Sequence, residues 1–290
     1  MKIKLQIAGP LLVLLCGLFA LQPVDAIAAD RVPRTSVKLL TIGNSFADNS
    51  TRFLSGISRA GGKDLLIFRA NLGGHSLQQH VKYLQDFEAS SDGSQGRAYK
   101  GDTDPPTGKK GVMSLREILL MQPWDIVTIQ QVSHLSPLVE SYHPDAGVLI
   151  DYIRRYAPQA QILIHETWAY PEDCPRYGDP KYPHLKNPQV MYQNIQAAYG
   201  KLSAETGLKI IPVGAAFQAE LSGPNPIRLH RKADIHANAS GEYLGGAVFY
   251  EMLFQDSVES NSFVPPDVSP EDAKVLRRIA HETVAKATKE

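Results

Sequence analysis

The stretch Val37-Lys38-Leu39-Leu40-Thr41-Ile42-Gly43-Asn44-Ser45-Phe46 decides the fold. Its apolar run predicts a buried first strand, and Gly43 permits a sharp turn after it. The turn presents the hydroxyl of Ser45 at the start of a helix that we expect to reach about Ala60. Two interpretations of Ser45 fit this context: a helix cap, which is a common role for serine, and a nucleophile whose alkoxide the helix N-terminus would stabilise.

Buried-strand runs alternate with amphipathic helical stretches in the rest of the chain. Further strands are predicted at Leu65–Asn71, Trp124–Ile129, Gln161–His165 and Leu208–Val213. Further helices are predicted at Gln78–Phe87, Ser114–Met121, Asp145–Tyr156, Pro188–Glu205 and Ser240–Phe254. This alternation is typical of a doubly wound, flavodoxin-like α/β fold, a three-layer α/β/α arrangement around a five-stranded parallel sheet.

The domain organisation follows from where this alternation starts and stops. We expect one domain over residues 36–258, followed over residues 259–290 by a linker and a last helix, starting at Ser269-Pro270, that packs on the same domain. The segment Ser90–Lys110 is rich in Gly, Ser, Asp and Pro and reads as a long surface insertion.

Residues 1–28 have the organisation of an export signal. Lys2 and Lys4 precede the uncharged apolar run Ile7–Leu21, and small residues around Ala28 follow it. A retained anchor is the alternative, but the run is shorter than the roughly 20 residues that a spanning helix needs. We expect a secreted or periplasmic protein with no stable membrane insertion after signal removal.

Composition narrows the possible partners. Lys plus Arg and Asp plus Glu each number 30, so no overall field favours nucleic acid as a partner. Signal removal leaves one cysteine, Cys174, between Pro171 and Pro175, where we expect an inert thiol. No cofactor is indicated, and no H-E-x-x-H pattern or comparable histidine pair predicts a metal site, His165-Glu166 being an isolated pair.

In open parallel α/β sheets, ligands bind at the carboxyl ends of the strands. The second strand ends in Gly73-Gly74, whose N–H groups can approach a ligand or simply form a flexible turn. His75 and His80 nearby are expected to be surface or loop histidines. The third strand ends in Gln130-Gln131-Val132-Ser133-His134, which places two amides and other polar groups at the same edge.

A histidine just before the predicted helix Ser240–Phe254 adds to the polar residues expected at this edge of the sheet. His236 follows the fifth strand and is able to reach the turn of the first strand, with Asp234 placed to orient its imidazole. The segment Leu39–Phe46 resembles the first block of SGNH (GDSL-like) hydrolases, with Asn44 where Asp is commoner. His236-Ala237-Asn238 resembles their last block, and the adjacent Gln130-Gln131 pair resembles a poorly characterised branch.

This resemblance implies Ser45 as nucleophile, His236 as general base, and the backbone N–H groups of Ser45 and Gly74 as an oxyanion hole. The third block usually adds an Asn side chain, for which we select Gln131, although Gln130 is also able to donate. The usual acid stands three residues before the histidine, where this chain has Ala233. Asp234 is then the candidate acid, and a Ser-His dyad is the alternative.

The expected function is an exported esterase acting on ester groups, O-acetyl foremost, of a small molecule or polysaccharide. Candidate substrate contacts are Gln130, Ser133, His134, Glu166, Trp168 and Tyr170. The two aromatic residues either stack on sugar faces or merely pack their loop. A lipase or thioesterase and a non-catalytic glycan-binding protein are the alternatives.

Overall fold

The computed structural model describes residues 33–108 and 111–289. The export signal predicted over residues 1–28 lies outside these ranges. Within them, no helix combines the length and apolar character needed to cross a membrane.

The centre of the fold is a five-stranded parallel sheet. The strands of the described ranges are β1 (Ser36–Gly43), β2 (Asp64–Asn71), β3 (Tyr99–Gly101), β4 (Gly111–Met113), β5 (Ile126–Ile129), β6 (Gln161–His165) and β7 (Lys209–Ile211). The sheet has the order β2-β1-β5-β6-β7, and β3 and β4 form a separate antiparallel hairpin. The predicted doubly wound α/β fold is confirmed.

Helices flank the sheet. They are α1 (Ser45–Thr51), α2 (Leu54–Ala60), α3 (Leu77–Ala89), α4 (Leu115–Met121), α5 (Asp145–Tyr156), α6 (Pro188–Thr206), α7 (Val213–Leu221), α8 (Ala239–Phe254) and α9 (Pro270–Ala287), with a short 3-10 helix at Val139–Tyr142. Helix α7 was not anticipated, because its first residue, Val213, was assigned to the preceding strand.

The single helix predicted from Ser45 to about Ala60 is wrong, since α1 and α2 are separate. The guanidinium of Arg69 donates a hydrogen bond of 2.9 Å to the carbonyl of Thr51, which a continuous helix would use internally. The backbone N–H of Arg52 turns instead to Asn49. A side chain from β2 therefore ends the first helix.

Strand β1 is an interior strand of the sheet, between β2 and β5, and its side chains are apolar on both faces. Val37, Leu39, Leu40 and Ile42 are all fully buried. Ile42 is paired with Ala70 on one side and Ile129 on the other. The three strands therefore end level with one another, so that the turns after β1, β2 and β5 are neighbours.

The insertion Ser90–Lys110 is anchored to the sheet. Asp104 forms an isolated bridge with Ile67 on β2, with backbone hydrogen bonds of 2.7 and 2.9 Å. Tyr99 on β3 is buried, with 1% of its side chain exposed. The segment therefore contributes to the packed interior as well as to the surface.

Close packing of α8 on α1 brings together two segments that are far apart in the sequence. A Cβ atom on Gly245 would lie 3.0 Å from the Cα of Ser50, a distance that only glycine tolerates without a shift. Because α1 begins at Ser45 and α8 begins just after His236, this contact sets the starts of the two helices side by side.

Helix α9 packs on α7 and α8 through Ala273, Leu276, Ala280 and Val284. We expect Leu276→Ala to lower the free energy of unfolding by about 2 to 5 kcal/mol, because the buried side chain leaves a cavity. Urea denaturation measures this loss. The matched control is Lys274→Ala on the exposed face of the same helix, and equal effects of the two changes would contradict the assigned packing.

Candidate active site

A continuous hydrogen-bond chain joins three of the predicted residues. The Nε2 atom of His236 lies 3.0 Å from the Oγ atom of Ser45, and its Nδ1 atom lies 2.9 Å from Oδ1 of Asp234. All three side chains are partly exposed. If Asp234 accepts from Nδ1–H, then Nε2 is left to accept the serine proton, which is the tautomer that a general base requires.

The helix-cap alternative for Ser45 is resolved by its neighbour. The N-cap of α1 is Asn44, whose Oδ1 accepts from the backbone N–H of Phe46 at 3.1 Å. The amide nitrogen of Asn44 donates to the carbonyls of His75 and Gln131 at 3.2 and 3.5 Å. An aspartate cannot make these last two bonds, which explains why Asn suits a position where related sequences carry Asp.

The acid at the unusual position reaches the histidine through a local turn. Ala233 has a φ of 51°, in the left-handed region, and its N–H donates to Asp173 at 3.2 Å. Oδ1 of Asp234 then accepts from the backbone N–H of His236 at 3.3 Å as well as from its ring. This is an Asx-turn, in which a side chain bonds the backbone two residues on.

The pKa of Asp234 reflects opposing effects. Partial burial disfavours its charged form, but hydrogen bonds from His236 and the proximity of that ring outweigh burial and hold the pKa below its ordinary value. Asp234 is therefore ionised at neutral pH and is suited to stabilise a positively charged imidazolium.

Backbone N–H groups beside Ser45 are free to bind an anion. Neither Ser45 N–H nor Gly74 N–H donates to a group in the described part of the chain. Gly74 has a φ of 71°, which favours glycine. Its loop is tied to the turn after β1 on both sides, by Leu72 N–H to the Gly43 carbonyl at 2.9 Å and by the Asn44 amide to His75.

The selection of Gln131 as the third oxyanion donor is wrong. Its Oε1 accepts from the N–H groups of Leu77 and Val132, and its Nε2 donates to the backbone carbonyl and hydroxyl of Ser141. Both ends of the amide thus hold loops together. Gln130 instead accepts from the Asn44 N–H through Oε1 at 3.3 Å, while its buried Nε2 has no partner among the described residues.

Trp168 and Tyr170 do not contact solvent, so their predicted role as sugar-stacking residues is wrong. Trp168 lies between Phe46 and Phe217, with ring centroids 4.0 and 4.6 Å apart, and its Nε1–H donates to the carbonyl of Ile235 at 3.1 Å. Both Trp168 and Tyr170 are only 1% exposed. The packing alternative therefore holds for both.

Ser133 and Glu166 are also buried and are not placed to bind substrate. The hydroxyls of Ser133 and Tyr170 lie 2.8 Å apart. Glu166 accepts from the N–H of Ala215 in the first turn of α7 at 2.9 Å. Of the predicted substrate contacts, His134 alone keeps a partly exposed side chain.

Cys174 and the possible metal ligands are the remaining reactive side chains that the sequence brings into question. The thiol of Cys174 is buried, and burial raises its pKa, consistent with an inert cysteine. No group of three or more His, Cys, Asp or Glu side chains in residues 33–108 and 111–289 is arranged to hold a metal ion.

Comparison with known proteins assigns the family. The family model described as a domain of unknown function, DUF4886, matches residues 38–283. The chain belongs to the DUF4886 family. The crystal structure of a DUF4886 protein from Bacteroides uniformis is 28% identical, with a TM-score of 0.76, and the match covers 86% of this chain and 95% of that one. No curated protein is a significant sequence match.

A second solved structure connects this DUF4886 protein with a larger fold class. A protein from Slackia heliotrinireducens that has been assigned to the SGNH hydrolases is 18% identical, with a TM-score of 0.53, and the match covers 74% of this chain and 98% of that one. At that identity the likeness concerns the fold. The resemblance to a poorly characterised SGNH branch is confirmed at this level.

Some residues that support the site of this DUF4886 protein were missed or misplaced. His80 was expected at the surface or in a loop, which is wrong: it is fully buried on α3, and its Nε2 lies 2.9 Å from the Gly43 carbonyl. Its Nδ1 faces the hydroxyl of Tyr99 at 2.8 Å. Burial lowers the pKa of His80 to about 4, so its ring is neutral and contacts the turn after β1 as a single tautomer. His80 stands three residues after Leu77 and four before Leu84, a helical spacing that indicates burial on the same face.

Glu166 makes a pH-dependent contribution to stability in this DUF4886 protein. Burial raises its pKa from 4.5 to about 7, against hydrogen bonds that lower it. A raised carboxyl pKa means that stability is fully present below pH 4.5 and is lost as pH rises through about 7. The substitution Glu166→Gln keeps an acceptor for the Ala215 N–H. We expect it to remove about 3 kcal/mol of the fall in the free energy of unfolding between pH 4.5 and pH 8.

Urea unfolding of the parent and Glu166→Gln at pH 4.5 and pH 8 measures the difference in slope. Parallel pH curves for the two proteins would show that Glu166 titrates normally in the folded state.

Proposed function

We propose that this protein is an exported serine esterase that hydrolyses ester groups, O-acetyl foremost, on carbohydrate. The observation that carries the proposal is the hydrogen-bond chain from Ser45 Oγ through His236 to Asp234. Export is supported by the sequence of residues 1–28, and the SGNH fold supports hydrolase chemistry.

In the proposed reaction, His236 Nε2 takes the proton of Ser45 as Oγ attacks the ester carbonyl. The oxyanion accepts hydrogen bonds from the N–H groups of Ser45 and Gly74 and from Nε2 of Gln130. His236 then gives its proton to the departing alcohol. Water, activated by the same histidine, hydrolyses the acyl-enzyme and restores the serine.

The surface around Ser45 supports a polar substrate. The large apolar side chains that are exposed in the described ranges are Val112, Leu120, Val148 and Leu221. These lie on β4, α4, α5 and α7, and none lies on the loops that carry the site. The loops after β2 and β5 carry the half-exposed Leu72 and Leu135. This small apolar surface suits a short acyl group better than the long chain of a lipase or thioesterase substrate.

The test is hydrolysis of 4-nitrophenyl esters from acetyl to octanoyl by the mature protein. We expect acetyl to be preferred, and Ser45→Ala and His236→Ala each to lower kcat/KM by about a thousandfold or more, because the two residues act as one unit. Ser222→Ala, an exposed serine at the end of α7, is the matched control and should keep full activity.

Three results would overturn parts of this proposal. Activity that survives Ser45→Ala would exclude Ser45 as the nucleophile. No hydrolysis by the parent at any acyl length, together with no labelling by a fluorophosphonate probe, would favour a glycan-binding protein. A maximum beyond the butyryl ester would replace the acetylesterase with the lipase or thioesterase.

The two adjacent glutamines give a matched pair for testing the oxyanion hole. We expect Gln130→Met to lower kcat about a hundredfold, because it removes the amide nitrogen that we propose as an oxyanion donor and also the Oε1 acceptor of the Asn44 N–H. Gln131→Met should mainly lower the melting temperature, since it leaves the backbone groups of Leu77, Val132 and Ser141 without a partner. A larger loss of kcat in folded Gln131→Met than in Gln130→Met would reverse these roles.

A further inference from the structure

The loop from Glu166 to Asn187, between β6 and α6, links two of the site loops. Asp173 accepts from the N–H of Ala233 at 3.2 Å, directly beside the acid Asp234. The hydroxyl of Tyr170 contacts Ser133, three residues after Gln130, at 2.8 Å. The β6–α6 loop therefore spans from the histidine loop to the loop after β5.

Arg176 lies in the same loop and contacts Tyr170, one of these two anchor points. Its NH1 group donates to the hydroxyl of Tyr170 at 2.9 Å. Its guanidinium carbon is 5.4 Å from the ring centroid of Tyr170 and 5.1 Å from that of Tyr182. Two aromatic rings thus hold a partly exposed guanidinium in place and lower the entropy cost of binding through it.

Arg176 differs from the other arginines around the site in its charge balance. Arg52 and Arg231 both contact Glu242, and Arg228 contacts Asp173. Arg176 has no carboxylate partner within salt-bridge distance among the residues that the structure describes. No described carboxylate is therefore paired with this guanidinium, which leaves its remaining N–H groups able to bind an anion.

The side chains of His134 and Tyr182 add hydrogen-bonding and stacking surface beside Arg176. The ring of His134 packs edge-on against Tyr182 at 5.5 Å, and both side chains are partly exposed. His184 contacts the carbonyl of His134 through its ring at 2.6 Å. Burial, together with the charges of Arg176 and His184, lowers the pKa of His134, so its ring is a neutral hydrogen-bonding group.

We propose that Arg176, with His134 and Tyr182, binds the carboxylate of an acidic sugar, so that the substrate is an O-acylated uronic-acid glycan. A guanidinium pairs with a carboxylate through two parallel hydrogen bonds, and an aromatic ring packs on a sugar face. This inference rests on the proposed esterase activity and specifies its substrate.

Kinetics on two acetylated substrates test the assignment. For the parent, we expect KM to be about tenfold lower for an acetylated oligogalacturonide than for a neutral acetylated xylo-oligosaccharide, since a charge-assisted pair is worth about that factor. Arg176→Gln should raise KM for the acidic ester about tenfold more than for the neutral one. Arg176→Lys should recover part of the difference, and the exposed Arg155→Gln on α5 should have no effect.

Calorimetric binding of deacetylated oligogalacturonide separates this inference from the esterase proposal, because it requires no turnover. Binding by the parent that is weakened in Arg176→Gln supports the carboxylate site even if no ester is hydrolysed. Hydrolysis of both esters with equal KM, together with no oligogalacturonide binding, overturns the site and leaves the esterase proposal intact.

Discussion

The packing of Trp168 connects the two halves of the site. Its indole stacks on Phe46, the residue after Ser45, and its N–H donates to the carbonyl of Ile235, the residue before His236. Phe217 on α7 covers the other face of the ring. The Ser45–His236 distance depends on this buried side chain together with the packing of α8 on α1, since the two residues are far apart in sequence and belong to different loops.

Polar groups around this stack maintain the shape of the turns. Asn44 joins the turn after β1 to those after β2 and β5, and His80 supports the Gly43 carbonyl from below. Gln131 similarly fixes the starts of two neighbouring segments. Because a buried polar group without a partner is costly, each of these bonds restricts the turns to few conformations. The site is therefore held before any substrate arrives.

The departures from the common SGNH pattern have local physical explanations. Ala233 adopts a left-handed conformation, and Asp234 therefore reaches His236 through an Asx-turn although it stands one residue closer than usual. Gln130 has a longer side chain than the Asn that is usual at this block. Its amide oxygen accepts from the Asn44 N–H, and its amide nitrogen has no partner in the described part of the chain. Each departure is thus accommodated by a hydrogen bond from a neighbouring backbone N–H group.

The sequence by itself determined where the sheet strands lie along the chain and that they are parallel, because their apolar runs alternate with helical stretches and are bounded by glycine or polar turns. It also marked Ser45, which directly follows the first strand at the edge where ligands bind, and Asp234 and His236, which stand just before α8 in a segment that resembles the last SGNH block. It did not determine which polar and aromatic residues face inward. Trp168, Glu166 and Gln131 became buried, and Arg176 remained without a carboxylate partner in the described ranges, only through contacts between loops that are distant in sequence. Burial and charge pairing depend on those contacts, so the tertiary structure alone decided them.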